Sequence, residues 1–367
     1  MRIIAHLDMD AFFASLEETG SPIFKGLPIA VGSDPKNGHG RGVVSTANYK
    51  AREYGLHSAL PISQAWQLSQ KAKAEGKPEV IFLEVDFKRY NKASEDVFKI
   101  IKKYSEMVEP ASIDEFYFSA PLGRDCASGW DYMERICKKI KKEIRKKLGV
   151  TCSVGIGPNK LISKIAAGFK KPDGLVVIKE KEAEDFLEQL SIRKIPGIGP
   201  KTEENLNKKG IKIIKDLKKL SRLQLKENFG KWGEDIYNKA RGIDNEPLVE
   251  NRETKSIGEQ ITFEHDTLNF IYIGEVFDNL CKSVFQRFLQ SGFKTFKTIG
   301  ITVRFSDFET KTTAKTLKKE TKIEKEFIIE ALKLLLPYLD KRKNPKKKLI
   351  RLIGVKMERL SSQNILI

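Results

Sequence analysis

The sequence predicts an α+β chain built from several domains, and three observations carry that expectation. At 367 residues the chain is too long for one ordinary core. Up to about residue 156 it alternates strand, helix, strand pair, helix and strand, the order of an α+β layer. After a polar stretch, Ile243 to Asn251, a second strand-and-helix pattern starts afresh.

The elements follow in order. Ile3-Ile4-Ala5-His6-Leu7 is an apolar strand that delivers Asp8 at its end, and Asp10 reads as the N-cap of a helix from Ala11 to Glu18. Gly26, Pro28, Gly32, Pro35, Gly38, Gly40 and Gly42 punctuate short strands and loops. A helix opens at Pro61-Ile62-Ser63 and runs to about Lys73, Val80 to Leu83 is a strand, and Phe87 to Met107 has the 3.6-residue spacing of an amphipathic helix. A hairpin around Ser112 to Phe118, a basic helix from Trp130 to Leu148 and a strand from Thr151 to Ile156 complete the layer.

Beyond Lys171-Pro172-Asp173-Gly174 the chain is mainly helical to Gly242. Glycine turns at Pro196-Gly197-Ile198-Gly199-Pro200-Lys201 and at Gly230 to Gly233 open helices there, offering backbone N–H groups to an anion. The last unit reads as strand Ile257 to Phe263, helix Ile271 to Leu289, strands Thr298 to Phe305 and Thr312 to Leu317, helix Lys325 to Leu339 and strand Leu349 to Arg359. That is a four-stranded sheet with two helices on one face. Ile299, Ile301, Val303 and Phe305 alternate with Gly300, Thr302 and Arg304, so the second set faces away from the core. Arg304, Lys311 and Lys315 are then placed to track phosphates.

The net charge of +18 favours a polyanionic partner. Residues 252–359 carry nine of those excess positive charges in under a third of the chain, so the charge is concentrated rather than general. Against that background Asp8, Asp114 and Glu115 are three acidic groups at strand ends, a donor set that can hold two divalent ions for displacement at phosphorus. A helix start after Asp8 is the plain alternative. No apolar run approaches a membrane span, the opening strand leaves no segment that reads as a signal peptide, and Cys126, Cys137, Cys152 and Cys281 show no C-x-x-C spacing; a cytoplasmic protein is expected. No phosphate-binding loop of the ATPase type occurs.

Several words of the sequence, taken in order, resemble the Y-family DNA polymerases of the DinB type. They are His6-Leu7-Asp8-Met9-Asp10-Ala11-Phe12-Phe13-Ala14, Arg41-Gly42-Val43-Val44-Ser45-Thr46-Ala47-Asn48-Tyr49-Lys50-Ala51-Arg52, Ser112-Ile113-Asp114-Glu115, Gly157-Pro158-Asn159-Lys160-Leu161, Lys164-Ile165-Ala166, Lys171-Pro172-Asp173-Gly174, Ile195-Pro196-Gly197-Ile198-Gly199, Phe229-Gly230-Lys231-Trp232-Gly233, Arg241-Gly242-Ile243-Asp244 and Lys255-Ser256-Ile257-Gly258. The resemblance implies a right-hand polymerase: a palm from residues 1–10 and 79–168, small fingers from 11–78, a thumb with helix-hairpin-helix motifs from 169–242, a linker at 243–251, a little finger at 252–360 and a clamp-binding tail at 361–367.

It also implies a template-directed, low-fidelity translesion DNA polymerase using two Mg²⁺ ions, with primer-template DNA, deoxynucleoside triphosphates and a sliding clamp as partners, acting as a monomer. The metal-binding positions match Asp8, Asp114, Glu115 and the Met9 carbonyl. Thr46, Tyr49, Arg52 and Lys160 match the nucleotide-binding positions, and Phe13 the steric gate that excludes a ribose 2′-hydroxyl; on residues alone Phe13, like Phe12, reads as core rather than gate. Gly197, Gly199 and Lys201 match the thumb's DNA-backbone contacts, and Gln363, Leu366 and Ile367 the clamp peptide, whose plain alternative is a frayed end. The chain departs from the family at Phe116 and Ser119, where Ala and Asp are usual. A two-metal nuclease and an inactive DNA- or clamp-binding scaffold are the alternative functions.

Overall fold

The computed structural model describes residues 3–119, 129–251 and 253–362. They form two compact units that divide after Asn251, residues 40–42 counting with the second. In the first unit β1 (Ile4–Met9) leads to α1 (Phe12–Gly20), followed by β2 (Ile29–Gly32), β3 (Val44–Ala47), the single turn α2 (Tyr49–Arg52), α3 (Ile62–Ala74) and β4 (Ile81–Leu83). Next come α4 (Phe87–Lys102), the antiparallel pair β5 (Met107–Pro110) and β6 (Glu115–Ser119), α5 (Gly129–Leu148), β7 (Cys152–Gly157), α6 (Lys160–Ala167) and β8 (Leu175–Val177).

The main sheet has the order β5-β6-β1-β7-β8, with β1 at its centre. Strand residues alternate between faces. Ala5, Leu7 and Met9 of β1 join a core with Val97 and Ile100 of α4 and Met133 and Ile140 of α5. His6 and Asp8 belong to the other face, opposite Tyr117 and Glu115. On that face α6 lies hard against β7, and a methyl group on Gly155 would stand 2.1 Å from the Ser163 carbonyl oxygen, so only glycine admits the approach.

Four expectations are corrected here. The helix expected over Phe87 to Met107 stops at Lys102, because Val108 is taken into the sheet and Ser105 Oγ sits within hydrogen-bond distance of the Met107 and Ser119 carbonyls (2.8 and 2.5 Å). Strand β4, grouped with the palm on sequence, pairs in parallel with β2 in a separate sheet of order β3-β2-β4. Strand β8, grouped with the thumb, pairs in parallel with β7 in the main sheet. Three-residue strands carry too little periodicity to name their partners. Asp10 does not cap α1: the N-cap is Ala11, at φ 45°, without a side-chain hydrogen bond, while the Asp10 carboxylate turns inward.

Helices α7 (Ala183–Glu188), α8 (Pro200–Lys208), α9 (Ile214–Lys218), α10 (Arg222–Phe229) and α11 (Lys231–Ala240) bury Leu187, Leu206, Leu217, Leu225 and Ile236 in a core shared with Ile162 and Ile165 of α6. The second unit contains β9 (Ser256–Thr267), α12 (Phe270–Gln290), β10 (Phe296–Phe305), β11 (Thr310–Thr321), α13 (Glu324–Leu339) and β12 (Ile350–Glu358). Its antiparallel sheet has the order β11-β10-β12-β9. Phe296 meets Phe288 of α12 and Phe327 of α13 edge to face, with centroids 5.4 and 5.6 Å apart, which locks both helices to one side.

Candidate active site

Asp8, the one residue of β1 that is not fully buried, stands directly across from Glu115, the first residue of β6. The Met9 N–H donates to the Asp114 carbonyl at 3.0 Å, so the three acidic residues lie at one junction. Asp114 occupies the bend before β6, where Ser112 Oγ donates to its Oδ1 at 2.6 Å. Adjacent carboxylates in a regular strand would face apart. The bend removes that constraint.

Two lysines hold the carboxylates. Lys171 Nζ is 2.5 Å from Asp8 Oδ1, and Lys164 Nζ is 2.5 Å from Glu115 Oε2. Burial pushes the Asp8 pKa up, with Lys171 opposing. Burial also works to raise Glu115, but the neighbouring His6 ring and Lys164 ammonium outweigh it and hold this carboxyl at about 2. His6 is itself fully buried, 3.5 Å from Glu115 and packed on Tyr117, and burial lowers its pKa. Among the described residues no three acidic, histidine or cysteine side chains are gathered at metal-holding geometry.

Of the residues expected at the nucleotide, Tyr49 and Arg52 form one unit. Asn48 caps α2 through the Ala51 N–H and also accepts from the Ile29 N–H, which fixes the start of this turn on β2. The Arg52 guanidinium stacks 4.8 Å from the Tyr49 ring centroid, and its Nε donates to the Ala47 carbonyl at 2.9 Å. The Tyr49 hydroxyl is buried with no partner within 3.5 Å, although it faces the nearby Asp10 carboxylate, and burial together with that carboxylate pushes its pKa up to about 12. Thr46 lies on β3, half-buried, paired with Val31. Phe13 is half-buried and stacks on Tyr90 at 4.2 Å and 9°, with Phe87 edge-on at 6.2 Å, whereas Phe12 goes into the core.

Lys160 goes elsewhere. It is only 5% exposed, and both Glu109 carboxylate oxygens accept from its ammonium at 3.0 Å. Glu109, also buried, accepts from the Val249 N–H as well. Sequence reasoning singled out Lys160 and passed over Lys164 and Lys171, which reach the acidic junction. Lys164 lies one helical turn beyond Lys160, on the same side of α6, a spacing that could have suggested it. Nothing local to Lys171 distinguishes it.

In the helical region Gly199 is the N-cap of α8, with Pro200 at its first position and Lys201 exposed. Gly197 has φ +101° and packs against Trp232, so both its conformation and its lack of a side chain are used. In the second unit Arg304 pairs with Thr310 and donates to its hydroxyl, on the sheet face away from the helices. Lys311 and Lys315 pair with the inward Val303 and Ile299, and Lys315 bonds Glu330 of α13. The three therefore do not share a face, because one residue along β11 reverses the side. Gln363, Leu366 and Ile367 lie outside the described residues.

Comparison with known proteins matches this arrangement along the whole chain. Residues 7–168 match the impB/mucB/samB family, residues 193–244 the DNA polymerase-iota thumb domain, and residues 254–365 the impB/mucB/samB family C-terminal domain. The chain is 41% identical over 365 residues to DNA polymerase IV 2 of Methanosarcina mazei, covering 99% of this chain and 94% of that protein. Among solved structures it is similar to a Y-family DNA polymerase chimera, Dbh-Dpo4(243-245)-Dbh, with TM-score 0.82, 28% identity and coverage of 98% and 99% of the two chains. An insertion ternary complex of Dbh DNA polymerase is similar at TM-score 0.66 and 27% identity, over 98% of this chain and 100% of that one. The chain belongs to the Y-family DNA polymerases, in the DNA polymerase IV group, and is a DNA-directed DNA polymerase. Among the described residues no helix is long and apolar enough to cross a membrane.

Proposed function

We propose that this polymerase performs low-fidelity, template-directed translesion synthesis, adding deoxynucleotides to a primer 3′-hydroxyl with two Mg²⁺ ions at the acidic junction. The observation that carries the reading is the register of Asp8 against Glu115, with Asp114 tied to Met9 beside them. The donor set suits the metal, since these are hard oxygen ligands. Asp8 and Glu115 each already face one cation, an ammonium that a divalent ion can replace. Asp8, Asp114, Glu115 and the Met9 carbonyl would hold the ions, which when bound activate the primer hydroxyl and neutralise the triphosphate.

The chain's own residues supply the rest. Lys171, in place of Lys160, is the lysine for the β- and γ-phosphates, together with the Tyr49 hydroxyl and Arg52. A buried hydroxyl without a partner is costly, and a phosphate oxygen would satisfy Tyr49. Thr46 borders the same nucleotide. Phe13 forms the floor under the sugar, its ring held flat by Tyr90, and excludes a 2′-hydroxyl. Primer-template DNA is gripped through phosphates by Gly197, Gly199 and Lys201 and by the basic C-terminal unit, Arg304 on its open sheet face, without base reading. The enzyme works as a cytoplasmic monomer, tethered to a sliding clamp by Gln363, Leu366 and Ile367. Single-nucleotide primer extension tests the core of this proposal. Asp114→Ala and Glu115→Ala should abolish extension while leaving primer-template affinity near normal, and near-normal extension by both would sink it.

A further inference from the structure

We infer that Asp10 is the positioning residue of the triphosphate grip, an inference that rests on reading Lys171 and Tyr49 as phosphate donors. Asp10 follows the catalytic strand directly, yet it is 1% exposed and its two carboxylate oxygens are already engaged. Oδ1 accepts from Ser153 Oγ at 2.8 Å, and Oδ2 accepts from Thr151 Oγ1 and from the Asp173 N–H, both at 2.8 Å. Three of this carboxylate's acceptor sites are thus taken by the protein's own donors. Burying a carboxylate is unfavourable unless it is hydrogen-bonded, and these three donors compensate it, so carboxylate and donors hold one another in place.

Those donors come from two places, the start of β7 and the loop 171–174. The same loop is tied from behind by Lys141, which donates to Asp173 Oδ1 at 2.8 Å and to the Gly174 carbonyl at 3.0 Å, and by Arg145, 3.0 Å from Asp173. With its backbone clamped from two sides, the loop presents Lys171, whose ammonium reaches Asp8 at 2.5 Å and stands 3.9 Å from Asp10 Oδ1. The Asp10 charge is also the leading charge acting on the unpartnered Tyr49 hydroxyl. One buried carboxylate thus sets the position of the lysine and borders the hydroxyl that face the triphosphate.

Asp10→Asn keeps the shape but removes the charge and replaces one acceptor oxygen by an NH2 donor, so the hydrogen bonds that hold the loop are weakened and its clasp is loosened. The KM for the incoming deoxynucleotide should rise by at least about tenfold with a smaller change in kcat, as for other residues that orient a ligand from behind. Equilibrium binding of the nucleotide to enzyme on a dideoxy-terminated primer-template should weaken by the same factor, with DNA affinity unchanged. Because Asp10 acts through Lys171, Asp10→Asn should add little to the effect of Lys171→Ala. Thr151→Val, which deletes one donor, should shift nucleotide binding the same way and carries the test if Asp10→Asn does not fold. A raised KM in Lys171→Ala alongside normal nucleotide binding in Asp10→Asn and Thr151→Val would overturn the Asp10 inference alone. Fully additive effects would do the same. Normal nucleotide binding in Lys171→Ala would overturn the phosphate-donor reading itself, and this inference with it.

Discussion

Exchanging the roles of two lysines gives a crossed prediction. Lys160→Ala would leave Glu109 fully buried without its ammonium, and removing one partner of a buried pair costs about 3–5 kcal/mol. For a unit of this size that lowers the melting temperature by on the order of ten degrees. The KM for deoxynucleotide should hardly change, since the Lys160 ammonium is committed to Glu109. Lys171→Ala should do the reverse. Its pair with Asp8 is partly exposed, so its loss costs about 1 kcal/mol of stability or less. A charge-assisted hydrogen bond to phosphate is worth about 1.5–3 kcal/mol, which corresponds to a KM roughly ten- to hundredfold higher. Thermal melting and single-nucleotide kinetics on the same primer-template read both axes. A large KM increase for Lys160→Ala with unchanged melting, together with normal kinetics for Lys171→Ala, would refute the exchange.

Phe13→Ala should raise ribonucleotide relative to deoxyribonucleotide incorporation. Because the ring is only half-buried, it should cost about 2 kcal/mol, less than a full core truncation; an unchanged incorporation ratio would leave Phe13 as packing alone. Chelating divalent ions should stop extension without unfolding the protein, and Mg²⁺ should restore it, as extension-product gels and circular dichroism can follow; extension that persists in chelator contradicts the metal assignment. Arg304→Ala should weaken DNA binding and reduce the salt slope of affinity by about one, whereas Lys311→Ala and Lys315→Ala should change it less; equal losses from all three, measured by fluorescence anisotropy across salt concentrations, would contradict the two-face arrangement. Deleting the last five residues should reduce synthesis only when a clamp is loaded, and clamp stimulation that survives the deletion would place the contact elsewhere.

What could be read from the sequence tracks the range over which each decision is made. The opening strand was legible because a run of apolar residues needs no partner to be recognised, and it fixed Asp8 at a strand end. The alternation Ile299, Ile301, Val303, Phe305 was legible for the same reason, and the structure buries all four. Asp10 was not. A short acidic residue before a helix satisfies every local rule for an N-cap, and what moves it inward are donors 141, 143 and 163 residues away. Lys160, Lys164 and Lys171 are chemically interchangeable in sequence; which is sealed against Glu109 and which face the acidic junction depends on how α6 and the 171–174 loop pack on the sheet. Lys311 and Lys315 on β11 show the same limit in one dimension, since the pairing register decides the side and no local pattern in that polar strand fixes it. Local signals located the carboxylates, and long-range packing decides which cations meet them. The substitutions that best test this site are therefore those at Lys160, Lys171 and Asp10, where the two kinds of information disagree.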